Sequence, residues 1–181
     1  MRILALALAL CGASAGAARA ELFASQAEAL ASAFPTASRI EKRTLLLDDA
    51  QVAAVEARAQ ATLDSHVVTV HTAWREGSVL GYAFIDVHDV RTLPEALLVV
   101  ISPEGQVADT RMLAFYEPQD YLPPARWLEQ FRGKGLDGSL RLGGAIHGVA
   151  GATLSSRAVT QAVRRSLALY EVLLRPAPSA P

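Results

Sequence analysis

The spacing of hydrophobic residues predicts two helices near the start of the chain. In "DDAQVAAVEARAQATL" the apolar residues recur at steps of three and four, as they do on one face of a helix: Val52, Val55, Ala59 and Leu63. Its leading acids, Asp48 and Asp49, suit a helix N-terminus. "SQAEALASAF" has helix-like composition, and Pro35 marks its end because a residue before proline avoids helical dihedrals. Residues 21–64 are therefore predicted to be an N-terminal helical segment.

The middle of the chain changes to short stretches rich in β-branched and aromatic residues. These stretches are "HVVTVHTAW", "VLGYAFIDVH", "ALLVVIS" and "VADTRMLAFY", and turn signals containing glycine or proline separate them. Connectors this short predict antiparallel neighbours, because a parallel pair of strands needs a crossover of about a dozen or more residues. The pattern predicts a meander of about four strands.

Helical patterning returns after the strands. Pro123 and Pro124 suit the start of a short helix that carries Trp127 and Phe131. A glycine-rich loop over residues 133–151 follows, and then a final helix from about Ser156 to Leu174 with one apolar stripe. Arg157, Arg164 and Arg165 lie mostly off that stripe and are expected on a solvated face of the helix. Helices before and after a group of strands predict an α+β fold, with an antiparallel sheet of about four strands flanked by helices in a single domain.

The two ends of the chain carry no part of this domain. Residues 1–20 read as a signal peptide, with Arg2 before the apolar run "ILALALAL" and a small-x-small site at Ala18-Arg19-Ala20. An uncleaved anchor is the alternative, although the uncharged stretch is shorter than the roughly twenty residues of a usual membrane-spanning helix. Residues 175–181, "RPAPSAP", are predicted to be a disordered tail. Export to the periplasm, or to the outer face of the cytoplasmic membrane, is therefore expected.

Composition narrows the function classes. Without residues 1–20 the chain loses two arginines, so 17 Lys and Arg become 15 against 18 acids, and the formal net charge becomes −3. A mildly acidic chain offers no electrostatic basis for binding nucleic acid. The single cysteine, Cys11, falls within the predicted signal peptide, so no disulfide is expected in the remainder. "IDVHD" offers His88 with two aspartates, but no second histidine stands at ligand spacing, and no metal site is predicted.

A hydroxyl stands among small residues where the final helix is predicted to begin. The stretch is "HGVAGATLSSRAVTQAVRRS", in which Gly151 and Ala152 precede Thr153. A helix start presents unpaired N–H groups and the positive end of the helix dipole, which together favour an anion such as phosphate. Ser155 or Ser156 is expected to cap this first turn. These features predict a phosphate near Thr153.

"GATLSS", residues 151–156, resembles the attachment motif of the FMN-binding domain family, which runs Asp-x-x-Ser/Thr-Gly-Ala-Thr/Ser-x-Thr/Ser-Ser. That family includes the flavin-carrying subunits of the sodium-pumping NADH:quinone oxidoreductase and of the Rnf complex. "VLGYAFIDVH" is similar to its Gly-Tyr-Ala strand, and "FYEPQDY" stands where the family often has a Glu-Thr-Pro-Gly loop, with Glu117 at the glutamate. The resemblance implies an FMN-binding domain over residues 65–174.

The resemblance also implies a cofactor and a site. It implies FMN joined through its phosphate to Thr153 by a separate flavin transferase, without a catalytic residue in this chain. Six small or polar residues make up the implied loop and first turn: His147, Ala150, Gly151, Ala152, Ser155 and Ser156. The candidates to border the flavin ring are Tyr82, Phe84, Glu117, Tyr121 and Trp127. The backbone N–H groups near Gly143, Gly144 and Gly148 are candidate donors to its edge.

Two positions depart from the motif. His147 stands where the family has aspartate, and Ala150 where it has serine or threonine. Non-covalent FMN and a flavin-free interaction module therefore stay open as alternatives. The main expectation is an exported electron carrier that exchanges electrons with a redox partner at or near the membrane. A small periplasmic flavin reductase is the rival, and the sequence leaves the oligomeric state open.

Overall fold

Six antiparallel strands form one sheet in the computed structural model, which describes residues 21–175. The strands lie in the order β1-β6-β5-β4-β3-β2. The elements are β1 (Glu21–Leu22), α1 (Gln26–Ala33), β2 (Arg39–Leu46), α2 (Asp49–Ala59), β3 (Val67–Arg75), β4 (Ser78–Asp89), β5 (Pro94–Ile101), β6 (Val107–Phe115), α3 (Ala125–Leu128) and α4 (Thr153–Leu173). The predicted α+β class and the meander of four strands, β3 to β6, are confirmed. The predicted signal peptide and almost all of the predicted tail lie outside the described residues.

Side chains at the two predicted helix starts define where α1 and α2 begin. Ser25 accepts a hydrogen bond from the backbone N–H of Glu28, and the Glu28 carboxylate accepts one from the backbone of Ser25. Asp48 and Gln51 form the same reciprocal pair ahead of α2. Each pair satisfies backbone donors that a helix start otherwise leaves free. Helix α1 ends before Phe34, as the following proline predicts.

Strand β2 was not predicted within the helical segment 21–64. Its residues, "RIEKRTLL", are mostly charged or polar, and most of them are exposed. Charged residues are typical of edge strands, because they oppose pairing with another chain. The usual alternation of apolar and polar residues is consequently weak here, and the strand is defined by its pairing with β3. The boundary placed at residue 64 stays a prediction, although α2 packs in the same core as α4.

The sheet separates two hydrophobic cores. The larger core lies between one face of the sheet and helices α2, α3 and α4, and includes Val55, Phe84, Leu97 and Leu167. The smaller core lies beneath α1 on the opposite face and includes Leu30, Phe34, Ala83 and Leu98. Adjacent strand residues such as Leu97 and Leu98 point to opposite faces, so β5 is buried on both sides.

Helix α4 is buried around most of its circumference. Arg164 and Arg165, which its helical pattern places on a solvated face, are only 6% and 7% exposed, so that expectation is wrong. The Arg164 guanidinium donates to the carbonyl oxygens of Arg58, Ala59, Asp137 and Leu140. These carbonyls lie at the end of α2 and in the loop after α3. Arg164 therefore gives hydrogen-bond partners to carbonyl groups that would otherwise be buried without them.

Arg165 joins α4 to the sheet through a buried polar cluster, here called the His88 cluster: Asp86, His88, Glu95 and Arg165. Arg165 binds both Asp86 oxygens, at 2.8 and 2.6 Å. The two ring nitrogens of His88 lie 2.7 Å from carboxylate oxygens of Asp86 and Glu95. Burial alone would lower the pKa of His88, but hydrogen bonds to both carboxylates raise it to about 9. Burial would raise the pKa of Asp86, but Arg165 and His88 lower it to about 2.

Replacing His88 by glutamine is expected to remove a pH-dependent part of the stability. Because the pKa of His88 rises from 6.5 to about 9 on folding, its contribution is complete below the unfolded pKa and is lost as the pH rises through about 9. A shift of this size corresponds to about 3 kcal/mol at most. Chemical denaturation should show that the unfolding free energy falls more between about pH 6 and about pH 10 for wild type than for His88→Gln. His66→Gln, at an exposed histidine, is the matched control, and an equal loss in all three proteins would contradict the assignment.

Candidate functional site

The first turn of α4 lies at the centre of the candidate site. The helix begins at Thr153, three residues earlier than the predicted Ser156, so Thr153 is its first residue. The N-cap is Ala152, which has no capping side chain. The expectation that Ser155 or Ser156 caps the helix is wrong, because both lie inside the first turn. The first N–H groups of α4 therefore keep their capacity to bind a ligand.

Gly151 lets the chain turn into this helix. Its φ is +81°, a left-handed conformation that side chains with a Cβ rarely adopt, and the space next to it is open. Thr153 is exposed directly after this turn, whereas Ala152 is buried. Thr153 therefore lies at the surface, next to two residues, Gly151 and Ala152, that have little or no side chain.

Hydrogen bonds hold the loop that leads into α4. The Trp127 Nε1–H donates to the carbonyl oxygen of His147 at 2.6 Å, and the backbone N–H of His147 donates to Gln130 at 3.0 Å. The Ser156 hydroxyl donates to the carbonyl oxygen of Ala152 and accepts from the N–H of Val149. Trp127 and Ser156 therefore position the loop.

A cavity of about 160 Å³, here called the first cavity, opens at this helix start. It brings together six of the predicted site residues: Glu117, Tyr121, Gly151, Ala152, Thr153 and Ser155. Val90, Arg91 and Leu154 complete its lining. The Ser155 hydroxyl is buried and has no hydrogen-bond partner in the structure. A buried hydroxyl without a partner is costly, so a ligand that accepts or donates there would be stabilised.

Glu117 lines the first cavity and holds the connector between β4 and β5. Its Oε1 accepts hydrogen bonds from the backbone N–H groups of Arg91, Thr92 and Leu93, at 3.2, 3.0 and 3.1 Å. The bond from Thr92 contributes most to lowering the pKa of the Glu117 carboxyl, with burial opposing it and the other two bonds adding to it. The simplest interpretation of its sequence position, a solvated loop carboxylate, is wrong because the side chain is buried.

A second cavity of about 340 Å³ lies next to the first along α4. The two cavities share Val90 and Leu154. His88 and Arg165 line the second cavity together with polar and charged residues of α4 and of the loop after α2. The first cavity is smaller than the roughly 300–1,000 Å³ of usual ligand sites, so a ligand larger than a phosphate group must extend beyond it.

Several predicted site residues lie elsewhere. Tyr82 packs against Tyr170, with ring centroids 5.4 Å apart. It precedes the end of β4 at Asp89 by seven residues, which is about 23 Å in a strand. Trp127 is buried in the larger core, edge-to-face with Phe131. His147 and Ala150 are exposed in the loop and do not line either cavity.

Two of the candidate backbone donors are already used within the loop. The N–H of Gly143 donates to Ile146, and that of Gly144 to Arg141. Neither group is free to bind a flavin edge, so this expectation is wrong for both. Gly148 is exposed and lies outside the lining of the two cavities.

Three lining residues of the first cavity were not predicted from the sequence: Val90, Arg91 and Leu154. Val90 and Arg91 follow β4 in a connector, and their distance from Thr153 along the chain carries no signal that the two segments meet. Leu154 occupies the variable position of the attachment motif. Its 48% exposure at a helix start is a signal that only a structure provides.

The comparison with protein families matches this region of the chain. The family model described as the FMN-binding domain matches residues 94–168. The match runs from the start of β5 to a point five residues before the end of α4. The comparison with curated proteins found no match. The matched region, residues 94–168, is an FMN-binding domain. FMN is accordingly the cofactor of this domain.

Replacing Glu117 by glutamine is expected to loosen the connector between β4 and β5. The amide keeps the shape but removes the negative charge that three N–H groups share, and bonds to charged groups contribute more than neutral ones. A loss of about 1–2 kcal/mol in unfolding free energy is expected, with faster amide hydrogen exchange at Arg91, Thr92 and Leu93.

The matched control is Glu129→Gln, which changes an exposed carboxylate after α3. Because the pKa of Glu117 is lowered on folding, its contribution is present above the ordinary carboxyl pKa and lost on acidification. Unchanged exchange in the connector of Glu117→Gln at neutral pH would contradict this role.

Proposed function

We propose that the chain carries FMN through a phosphoester at Thr153 and serves as an electron carrier. The observation that supports this most is the convergence at one cavity of an exposed hydroxyl, an uncapped helix start and a buried serine without a partner. Each of these groups suits a phosphate, and the family match names FMN.

The residues of the first cavity fit the phosphate end of FMN. The uncapped start of α4 supplies N–H donors and the positive end of a 21-residue helix. Arg91 lines the same cavity and adds a positive charge. The Ser155 hydroxyl is the one lining group that is both buried and without a partner, so a phosphate oxygen there would relieve an unsatisfied group.

The flavin ring is assigned to the space around Leu154. The first cavity is mostly apolar around Val90, Tyr121 and Leu154, and its volume is too small to enclose a whole FMN. Tyr121 and Leu154 are 37% and 48% exposed, so both present apolar surface to solvent beside the start of α4. An aromatic ring covering them would remove that surface from water.

Attachment requires a separate enzyme. An unperturbed threonine hydroxyl is a weak nucleophile, and the carboxylate lining the cavity, Glu117, already accepts three backbone hydrogen bonds through one oxygen. A flavin transferase would supply the base and an activated FMN phosphate. The Thr153 Oγ1–phosphorus bond forms, the bond from phosphorus to the donor's leaving group breaks, and the hydroxyl proton passes to the enzyme's base.

Bound FMN supplies one- and two-electron transfer, while the protein binds and orients it. We propose a carrier rather than an enzyme. Export, the flavin transferase and a redox partner at or near the membrane are further parts of this proposal. In residues 21–175 the structure contains no helix that is long and apolar enough to cross a membrane.

Non-covalent FMN is the second candidate, and the departures from the attachment motif favour it. His147 and Ala150 replace the motif's aspartate and hydroxyl residue. Both are exposed outside the cavity. A transferase that reads these positions would therefore leave Thr153 unmodified, whereas the cavity itself would still accept FMN.

Replacing Thr153 tests the covalent proposal directly. Protein produced together with an exported flavin transferase should show a mass increase of one FMN less one water, and its yellow colour should survive denaturation. Thr153→Val should show no increase, since it keeps the shape of the side chain but has no hydroxyl, and Thr153→Ser should keep it. Thr44→Val, at an exposed strand threonine, is the control. An unmodified mass with FMN that dissociates on denaturation would favour the non-covalent alternative.

Ser155 and Ser166 provide a matched pair on the same helix. Both are buried, but the Ser166 hydroxyl donates to the carbonyl oxygen of Ala162, whereas the Ser155 hydroxyl has no partner. Ser155→Ala is expected to reduce FMN affinity about tenfold, measured by flavin fluorescence in the Thr153→Val background, without lowering the unfolding free energy. Ser166→Ala should leave FMN affinity unchanged. Equal affinities for the two variants would remove Ser155 from the site.

A further inference from the structure

The His88 cluster contains a buried carboxylate oxygen that nothing in the structure satisfies. Both ring nitrogens of His88 face carboxylate oxygens, so the imidazole is held as a cation that donates from both nitrogens. Glu95 is fully buried, and while its Oε1 binds His88, its Oε2 has no hydrogen-bond partner. A bare buried oxygen of an ionised carboxylate is costly, and a proton on it reduces that cost.

Charges within the cluster balance when Glu95 is ionised. Arg165 and His88 supply two positive charges, and Asp86 and Glu95 two negative ones. Protonation of Glu95 Oε2 would give the cluster one net positive charge. Burial raises the pKa of the Glu95 carboxyl, and the hydrogen bond from His88 opposes that rise. Burial outweighs the hydrogen bond, so the pKa of Glu95 is raised while that of Asp86 is lowered, and Glu95 is the carboxyl of the cluster that a nearby negative charge would protonate more readily.

The cluster faces the proposed cofactor site. His88 and Arg165 line the second cavity, which shares Val90 and Leu154 with the first cavity at Thr153. His88 lies near the end of β4, and Val90 follows that strand directly. A charge that enters this pair of cavities is therefore close to the cluster, since His88 and Arg165 line the second cavity.

We propose, on the basis of the proposed function, that the His88 cluster takes up a proton at Glu95 Oε2 when electrons enter the FMN site and releases it when they leave. The electron comes from the redox partner, and the proton comes from solvent through the second cavity. The Glu95 carboxylate becomes a carboxylic acid, and no other bond forms or breaks. Added negative charge stabilises the protonated form, so electron and proton uptake favour each other.

Other charged groups around the second cavity are poorly suited to this role. Asp64, Asp89 and Arg157 line it from the loop after α2, from β4 and from α4, and all three are exposed. Solvent screens exposed charges, whereas a buried group responds strongly to a nearby charge. Asp86 is held ionised by two bonds from Arg165. Glu95 is the buried carboxyl of this group that keeps a free oxygen.

The experiment measures the proton affinity of Glu95 in FMN-loaded protein with the flavin oxidised and reduced. Carboxyl 13C shifts of labelled glutamates are followed against pH, and the Glu95 signal is identified by its loss in Glu95→Gln. Its apparent pKa is expected to be about one unit higher in the reduced protein, a tenfold gain in proton affinity, which is within the usual range of coupling between sites. If the proton affinity of Glu95 differs by less than about twofold between the oxidised and the reduced protein, the proposal is overturned.

The midpoint potential supplies a second, independent measurement. By reciprocity, the FMN potential of wild type should fall with rising pH across the titration of Glu95, and Glu95→Gln should lack that component. Glu104→Gln, in the exposed turn between β5 and β6, is the control and should behave like wild type. A wild-type pH dependence in Glu95→Gln would overturn the proposal.

Intact mass and flavin fluorescence on the same samples separate this proposal from the one it rests on. A sample without FMN contradicts the proposed function, whatever the titration of Glu95. A sample that carries FMN but has the same Glu95 pKa in both redox states contradicts the proton coupling alone.

Discussion

The position of the candidate site depends on the bidentate ion pair between Arg165 and Asp86. This pair binds the middle of α4 to the middle of the sheet, at 2.6 and 2.8 Å, where both side chains are largely withdrawn from water. Thr153 lies twelve residues before Arg165, about 18 Å along the helix. Because α4 is a rigid rod packed into the larger core, fixing its centre also fixes where its uncapped start meets the connector after β4.

Three carboxylates perform different tasks within this one region. Asp86 binds Arg165 and is held ionised, and Glu117 binds three backbone N–H groups and shapes the connector that lines the first cavity. Glu95 is buried with one oxygen unpaired. The difference between them comes from their hydrogen-bond partners, since the number and charge of the donors decide whether a buried carboxylate stays ionised.

Two hydroxyl groups in the first turn of α4 illustrate how similar residues acquire different roles. Ser156 donates to Ala152 and accepts from Val149, which closes the loop onto the helix. Ser155, one position earlier, lines the first cavity, and its buried hydroxyl has no partner. The helical rotation of about 100° between neighbours separates a structural hydroxyl from one that is free to bind a ligand.

The sequence by itself determined the helices, the four-stranded meander and the motif around Thr153, because each depends on residues close together along the chain. Capping residues at Ser25 and Asp48, apolar periodicity and the "GATLSS" motif are all local signals. The tertiary structure alone decided that β2 joins the sheet, that Arg164 and Arg165 are buried, and that Tyr82 packs against Tyr170 rather than near Thr153. It also brought Val90 and Arg91 to the start of α4. Such contacts join segments far apart in the chain, so they depend on how the whole sheet packs against α4, and no local pattern encodes them.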